Sequence, residues 1–205
     1  MKKVLLACCV FLVLAFAILG SDTLPVIPES APLQLASVAT PAPDVAGTPA
    51  LPQNTYAVVK VIDGDTISII KDGETVTLRL IGLDTPETVD PRKPVQCFGK
   101  VASDKAEELL TGKMVRLEFD ASQGTLDKYG RTLAYVFLPA HADVPAEIFF
   151  NEYMIAEGYG HEYTYNLSYK YRKEFKEAQR RAREEKRGLW ADDTCAGDTK
   201  VPATS

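Results

Sequence analysis

Residues 56–83 read YAVVKVIDGDTISIIKDGETVTLRLIGL, and this stretch decides which fold the sequence can adopt. β-Branched and apolar residues fill 56–62 and 66–70, which is typical of β-strands. Residues 74–83 alternate between an apolar and a mostly polar face, as expected of a half-buried strand. Lys71-Asp72-Gly73 is typical of a hairpin turn. The stretch therefore predicts three consecutive strands joined by short turns.

The rest of the sequence predicts two more strands and three helices. The strands are 114–119 and 131–138, and the helices are 98–110, 145–157 and 167–187. The apolar stripe of the last helix consists of Tyr171, Phe175, Ala178 and Ala182. One helix is inserted between the third and fourth strands, and two follow the fifth. This order predicts an α+β fold that is mainly β, namely a five-stranded OB-type barrel with three α-helices.

The N-terminal quarter of the chain is predicted to lie outside this domain. Residues 1–20 combine two lysines with an uncharged apolar run of 17 residues over 4–20, which fits a cleaved signal peptide or an uncleaved membrane anchor. Residues 21–54 are rich in proline and alanine and are expected to form a disordered linker. We therefore expect a folded domain over 55–196, a disordered tail over 197–205, and a secreted or membrane-tethered protein.

The four cysteines divide between these parts. Cys8 and Cys9 belong to the targeting segment, which leaves Cys97 and Cys195 in the exported part. A metal site would need more ligands at shorter spacing, whereas an oxidising compartment favours disulfide formation. We therefore predict a Cys97–Cys195 disulfide, as a consequence of the predicted export.

The charge of the chain is unusual for a protein that binds nucleic acid. The net charge is −5, and residues 54–195 carry 20 basic and 24 acidic side chains. Residues 170–187 have the opposite net charge, with nine basic and four acidic residues. This segment is either a solvated helix face or a surface that steers a polyanion, and the sequence leaves both open.

Three short segments carry the candidate chemistry: 61–66 (VIDGDT), 79–87 (RLIGLDTPE) and 127–131 (DKYGR). Each is ambiguous alone, because an aspartate-glycine pair is typical of turns and a proline often ends a strand. Together they supply oxygen ligands, a spare carboxylate and two guanidinium groups. These are the groups needed to bind a divalent cation and attack a phosphodiester. The chain has only two histidines, which argues against a histidine-based site.

In this order the segments resemble the thermonuclease family, the staphylococcal-nuclease-like proteins, over roughly residues 55–190. The similarity extends to Asn151-Glu152, Gly158, Tyr163, Tyr165 and Gly188-Leu189-Trp190. The resemblance implies the OB-type fold for an SNase-like domain. It also implies Ca²⁺-dependent hydrolysis of DNA and RNA with little sequence preference, most readily where strands are single or frayed. The products expected from the family carry 3′-phosphates.

The resemblance also assigns a metal site. Asp65, Asp84 and the backbone carbonyl of Thr85 match the family's Ca²⁺ ligands, and Asp63 is expected to be a turn residue or to lie beside the ligands. A hard cation such as calcium prefers carboxylate, carbonyl and water oxygens, so the assignment is chemically consistent.

The remaining roles follow from the same resemblance. Glu87 matches the glutamate that orients or deprotonates the attacking water, and Arg79 and Arg131 match the arginines that hold the phosphate. Substrate-binding positions are Lys128 and Tyr129, near a terminal phosphate, and Tyr163 and Tyr165, at the base; ordinary half-buried packing is the alternative for the last two.

Two other classes of protein remain possible on the sequence. One is an OB-fold module that binds nucleic acid without cutting it, and the other is a tethered structural domain that calcium only stiffens. Loss of Arg79, Glu87 or Arg131 would favour the first, and all three are present. The departures from the family pattern are the acidic balance, the loop 91–96 and the insert 139–145. We expect the protein to be a monomer.

Overall fold

The computed structural model describes residues 52–140, 145–165 and 167–202. The predicted targeting segment, and the predicted linker up to residue 51, lie outside the described residues. Within those residues, none of the helices has both the length and the apolar character needed to cross a membrane.

The five predicted strands and three predicted helices follow one another in the predicted order, and three further two-residue strands lie between them. The elements are β1 (Thr55–Asp63), β2 (Thr66–Lys71), β3 (Glu74–Leu80), β4 (Leu83–Asp84), α1 (Gly99–Leu110), β5 (Met114–Glu118), β6 (Thr132–Leu138), β7 (Ile148–Phe149), α2 (Phe150–Ala156), β8 (His161–Glu162), α3 (Arg172–Glu184) and a 3₁₀ turn (Gly188–Trp190).

Five of these strands close into a barrel. β1 pairs antiparallel with β2 and β5, β2 pairs with β3, and β5 pairs with β6. A parallel pairing of β3 with β6 completes the ring, with Arg79 opposite Leu133. The predicted OB-type barrel with three α-helices is therefore confirmed in the described part of the chain. Closure also places the end of β3 beside the start of β6, where the two predicted phosphate-binding arginines lie.

The core lies inside the barrel and under the helices. Ile67, Ile69 and Leu78 of the barrel are fully buried, as is Phe175 of α3. Burial of each such side chain contributes roughly 1.5–3 kcal/mol to folding. The apolar stripe predicted for the last helix is confirmed at Phe175, Ala178 and Ala182, which are all buried.

The third predicted strand is shorter than expected. β3 ends at Leu80, and the backbone turns at Gly82, which has φ of +76°. Leu83 and Asp84 then form a separate strand, β4, which pairs with β8 instead of continuing the barrel. This turn carries Asp84 away from the barrel wall.

The predicted helix over 145–157 is wrong in its first part. α2 covers only Phe150–Ala156, and Ile148–Phe149 pairs with β6 as strand β7. The cause is aromatic packing, because the Phe149 ring stacks on the Phe137 ring at a centroid distance of 4.3 Å. The helical spacing of apolar residues does not predict such a contact with a strand that comes earlier in the sequence.

The predicted helix over 167–187 is also too long. α3 covers Arg172–Glu184, and the residues before it are held by tertiary hydrogen bonds. The backbone N–H of Lys170 donates to Asp120 Oδ2 at 2.8 Å, and the Tyr169 hydroxyl donates to Glu162 Oε1 at 2.9 Å. These contacts keep the residues directly before α3 in a non-helical conformation.

The predicted disulfide is present. It joins Cys97 and Cys195, whose Cα atoms are 6.0 Å apart, across 98 residues of sequence. The C-terminal segment also pairs with the same region, because the Cys97 N–H donates to the Val201 carbonyl at 2.9 Å and Gln96 bridges to Pro202. Val201 and Pro202, which the sequence places in a tail, thus lie against the segment before α1.

Candidate active site

Arg79 is the central cation of the site. It lies near the end of β3, and its side chain is 15% exposed. Nη1 contacts Asp65 Oδ1 at 2.7 Å and donates to the Leu83 carbonyl at 2.8 Å. Nη2 contacts Asp84 Oδ1 at 2.9 Å. One guanidinium group therefore connects the DGDT turn to β4, and the two predicted metal-binding carboxylates share it.

Arg131 lies just before β6 and is held by Asp127. Asp127 Oδ2 accepts a hydrogen bond from Arg131 Nε at 2.7 Å, while its Oδ1 accepts the backbone N–H groups of Tyr129 and Arg131 at 2.8 and 2.9 Å. Burial alone would raise the pKa of Asp127, but these hydrogen bonds lower it below its ordinary value. Asp127 therefore stays ionised and fixes the arginine.

Thr66 links the two arginines. Its hydroxyl donates to Asp65 Oδ1 at 3.0 Å and accepts from Arg131 Nη1 at 3.3 Å. Asp65 Oδ1 is the same atom that pairs with Arg79. Neither Thr66 nor Asp127 has a role predicted from the sequence, although both lie in the segments that carry the candidate chemistry.

Thr85 is packed between two close backbone segments. An added Cβ at Gly64 would lie 2.7 Å from Thr85 Cγ2, and one at Gly160 would lie 2.9 Å from the Asp84 carbonyl. The Thr85 N–H donates to Asp65 Oδ2 at 2.8 Å. Gly160 comes from the segment before β8, and the sequence analysis missed it because a close approach leaves no local pattern.

The carboxylates here are electrostatically crowded. Burial and repulsion from Asp65 raise the pKa of Asp63 to about 7. Partial burial and repulsion from Asp65 also raise the pKa of Asp84, although Arg79 lowers it. A bound cation would relieve this repulsion.

The donor set is composed of oxygen atoms. Asp65 and Asp84 provide carboxylates, and the Thr85 Oγ1 is buried with no hydrogen-bond partner among the described residues. Within 52–140, 145–165 and 167–202, no cluster of three or more His, Cys, Asp or Glu side chains is arranged to hold a metal. A cation at this position would therefore rely on carbonyl and water oxygens as well, which calcium accepts. The residues fit a hard cation on chemical grounds.

A pocket of about 470 Å³ lies beside the arginines. Its lining brings together seven of the predicted residues: Arg79, Asp84, Lys128, Tyr129, Arg131, Tyr163 and Tyr165. The three tyrosines are 72%, 45% and 60% exposed in that order, so their rings stand at the rim instead of packing in the core. Exposed rings beside two guanidinium groups suit a nucleotide, with the phosphate inside and the base at the rim.

Glu87 does not line this pocket. Its Oε1 accepts the N–H groups of Val89 and Asp90 at 2.8 and 3.1 Å. Its backbone is paired with Gln96 in both directions, at 2.8 and 3.0 Å. Because Gln96 directly precedes the disulfide residue Cys97, the Glu87 loop is anchored to the C-terminal segment. Gln96 could not be predicted from the sequence, because it acts only through this tertiary contact.

Comparison with known proteins agrees with the geometry. The family model described as "Staphylococcal nuclease homologue" matches residues 77–192. A thermonuclease from Staphylococcus hyicus is 45% identical over 140 residues, which are 68% of this chain and 78% of the relative. A thermonuclease from Staphylococcus intermedius is 45% identical over 136 residues, covering 66% and 76%.

A more distant relative is the SPbeta prophage-derived endonuclease YokF of Bacillus subtilis (strain 168). It is 35% identical over 133 residues, which are 64% of this chain and 42% of the relative. The family-model match over 77–192 contains Arg79, Asp84, Arg131 and the rim tyrosines, whereas Asp65 and Thr66 lie before it. The chain belongs to the staphylococcal nuclease homologue family.

Proposed function

We propose that the protein is a calcium-dependent nuclease that hydrolyses phosphodiester bonds of DNA and RNA and leaves 3′-phosphates. Family membership and the names of the thermonuclease and endonuclease relatives support a nuclease. The observation that carries the proposal is the convergence of Arg79 and Arg131 on one pocket, beside the carboxylates of Asp65 and Asp84.

The two arginines hold the scissile phosphate. A guanidinium group is planar and permanently charged, and it can donate to two phosphate oxygens at once. Negative charge grows on those oxygens as the nucleophile arrives, so the contacts strengthen in the transition state. Asp127 and Thr66 hold Arg131 in place, which limits the reorganisation required on binding.

Asp65, Asp84 and the Thr85 carbonyl are the residues that would hold calcium. When bound, the ion neutralises charge on the phosphate and positions the attacking water. Arg79 contacts both carboxylates at 2.7 and 2.9 Å, so it couples the cation site to the phosphate site. The buried, unpartnered Thr85 Oγ1 supports this placement, because an oxygen left without a partner in the described residues is costly unless a ligand or water reaches it.

Glu87 orients or deprotonates the attacking water. Only its Oε1 is engaged by the loop N–H groups, and Oε2 accepts no hydrogen bond from the described residues. The free oxygen is the one available to a water molecule. The loop hydrogen bonds limit how far the carboxylate can move, so the anchoring by Gln96 is part of the active site.

The exposed tyrosines explain a broad substrate range. Tyr163 and Tyr165 lie with ring centroids 6.2 Å apart at the rim, and Lys128 Nζ lies 5.8 Å from the Tyr165 ring. Stacking tolerates every base, because each base has a π-face. A base must leave its duplex partner to stack in this way, so single-stranded or frayed substrates are preferred.

The protein is proposed to act outside the cytoplasm as a monomer. The Cys97–Cys195 disulfide supports this location, because such bonds persist in oxidising compartments. The N-terminal lysines and the apolar run 4–20 suit export, with the run either cleaved or kept as a membrane tether.

A zymogram distinguishes this proposal from a non-catalytic binding module. The protein is run in gels that contain DNA or RNA and is renatured with and without Ca²⁺. Clearing is expected in both gels with Ca²⁺, and Glu87→Gln should lose it. Glu107→Gln, an exposed glutamate of α1, is the matched control and should clear normally. Absence of clearing by the parent protein would contradict the nuclease and favour a binding module.

A further inference from the structure

A second concavity lies along α3 beside the active-site pocket. Its volume is about 640 Å³, and we call it the α3 groove. Its charged lining residues are Lys170, Arg172, Lys173, Lys176, Glu177 and Arg180. Five cations and one carboxylate make it strongly positive, although the rest of the domain is acidic.

Two of these cations are already neutralised by the protein. Lys170 Nζ lies 2.6 Å from Glu118 Oε1. Arg180 lies 2.6 Å from both Glu177 and Glu184. These side chains shape the wall of the groove, but their charges are matched within the fold.

Lys173 and Lys176 are different. Both are exposed, and neither forms an ion pair with any residue that the structure describes. They lie one helical turn apart on α3, so they face the same side. Arg172 adds a third cation, whose Nε donates to the neutral hydroxyl of Thr164 at 3.1 Å. The uncompensated charge of the groove is therefore concentrated at these three residues.

The groove adjoins the active-site pocket. Tyr169 lines both, and Leu167 on the pocket side directly precedes Ser168 on the groove side. The ridge between them is held by the Gln123 side-chain amide, which donates to the Leu167 and Ser168 carbonyls at 3.4 and 3.3 Å. A strand that extends from the pocket across this ridge would reach the lysines of the groove.

We propose that the α3 groove binds backbone phosphates of a single-stranded polynucleotide at a distance from the bond being cleaved. This inference rests on the proposed nuclease function and identifies a polymer as its preferred substrate. OB folds hold roughly 4–16 nucleotides, so a bound strand extends beyond the nucleotides that flank the bond being cleaved. The acidic remainder of the domain repels such a strand, so its extension needs a local positive surface.

The test replaces the two unpaired lysines in Lys173→Gln/Lys176→Gln. The matched control is Lys60→Gln/Lys113→Gln, which removes two exposed lysines that line neither the pocket nor the groove. For each protein, kcat/KM is measured between about 50 and 200 mM salt, on an oligothymidylate of about 16 nucleotides and on a dinucleotide.

For the long substrate, the slope of log kcat/KM against log salt should become shallower by about 1.4 in the groove variant, because each phosphate contact to a single strand contributes about 0.7. The control should keep the parent slope, and the dinucleotide slope should stay unchanged in both variants. Coinciding slopes for the long substrate would overturn the proposal. An equal change on the dinucleotide would also overturn it, because the effect would then be long-range and not a contact.

A second readout separates the two proposals. Fluorescence anisotropy of the same long oligonucleotide, in a calcium chelator, measures binding without cleavage. If the parent protein cleaves nothing, the proposed nuclease function fails. The salt dependence of binding, measured by anisotropy, then tests the groove proposal alone. A shallower slope for the groove variant than for the control supports the proposal, and equal slopes overturn it.

Discussion

The disulfide leads to a prediction in which stability and function are linked. Replacing both cysteines in Cys97→Ser/Cys195→Ser removes a cross-link between residues 98 positions apart. In the chain-entropy model, a loop of this length contributes about 4–5 kcal/mol to the free energy of unfolding. For a domain of this size, the loss corresponds to a fall in melting temperature of roughly 10–20 °C.

The assay is urea unfolding and thermal melting under non-reducing conditions, with the parent protein in reductant as the control. The reduced parent should match the double serine variant, and the variant should not respond to reductant. Equal stability of the oxidised parent and the double variant would refute the reasoning. Two free thiols, found by mass spectrometry in protein from an oxidising compartment, would refute the bridge itself.

The same region should influence turnover, because Gln96 joins the bridge to the Glu87 loop. Gln96→Leu keeps the disulfide but removes the acceptor of the Glu87 N–H, which lies at 2.8 Å. The expected cost is about 1–3 kcal/mol of stability. The turnover number of Gln96→Leu should fall more than that of Cys97→Ser/Cys195→Ser, which keeps Gln96. The opposite order would show that the bridge alone positions Glu87.

Two further predictions concern the site. Arg79→Lys and Arg131→Lys should each lower the turnover number by about 10²-fold while preserving the fold, because lysine keeps the charge but cannot donate two parallel hydrogen bonds. Steady-state kinetics measure the turnover number and circular dichroism checks the fold. Near-parental turnover of both variants would show that the assigned roles are wrong. Gly160→Ala should lower the turnover number by up to about 10²-fold, because a Cβ 2.9 Å from the Asp84 carbonyl must displace β4. An unchanged turnover number would mean that the close approach of Gly160 to β4 is not needed.

Much of the fold could be predicted because strand alternation and turn residues are local properties. The alternation over 74–83 and the turn at 71–73 placed the first three strands nearly correctly. The closure of the barrel by β3 and β6 could not be derived from local patterns, because it joins strands distant in the sequence. Ile148–Phe149 was predicted as helix for the same reason, since its strand form depends on the Phe137 ring.

The site shows the same division. The motif segments and the family resemblance identified Arg79, Arg131 and Asp84, which line the pocket, because these residue types carry the chemistry themselves. Thr66 and Gln96 were not identified, because each acts only by holding another residue through a tertiary hydrogen bond. Glu87 was identified by type, but its loop hydrogen bonds and its position outside the pocket lining appear only in the folded chain.

Initial rates on a single-stranded oligonucleotide decide whether the pocket hydrolyses phosphodiesters with calcium. Rates are measured with Ca²⁺, with Mg²⁺ and with a chelator, and the ends of the products are analysed. We expect cleavage to 3′-phosphates with Ca²⁺, poor activity with Mg²⁺ because the irregular oxygen shell suits calcium better, and no activity in the chelator. Equal rates with Mg²⁺ alone, or full activity in the chelator, would contradict this expectation.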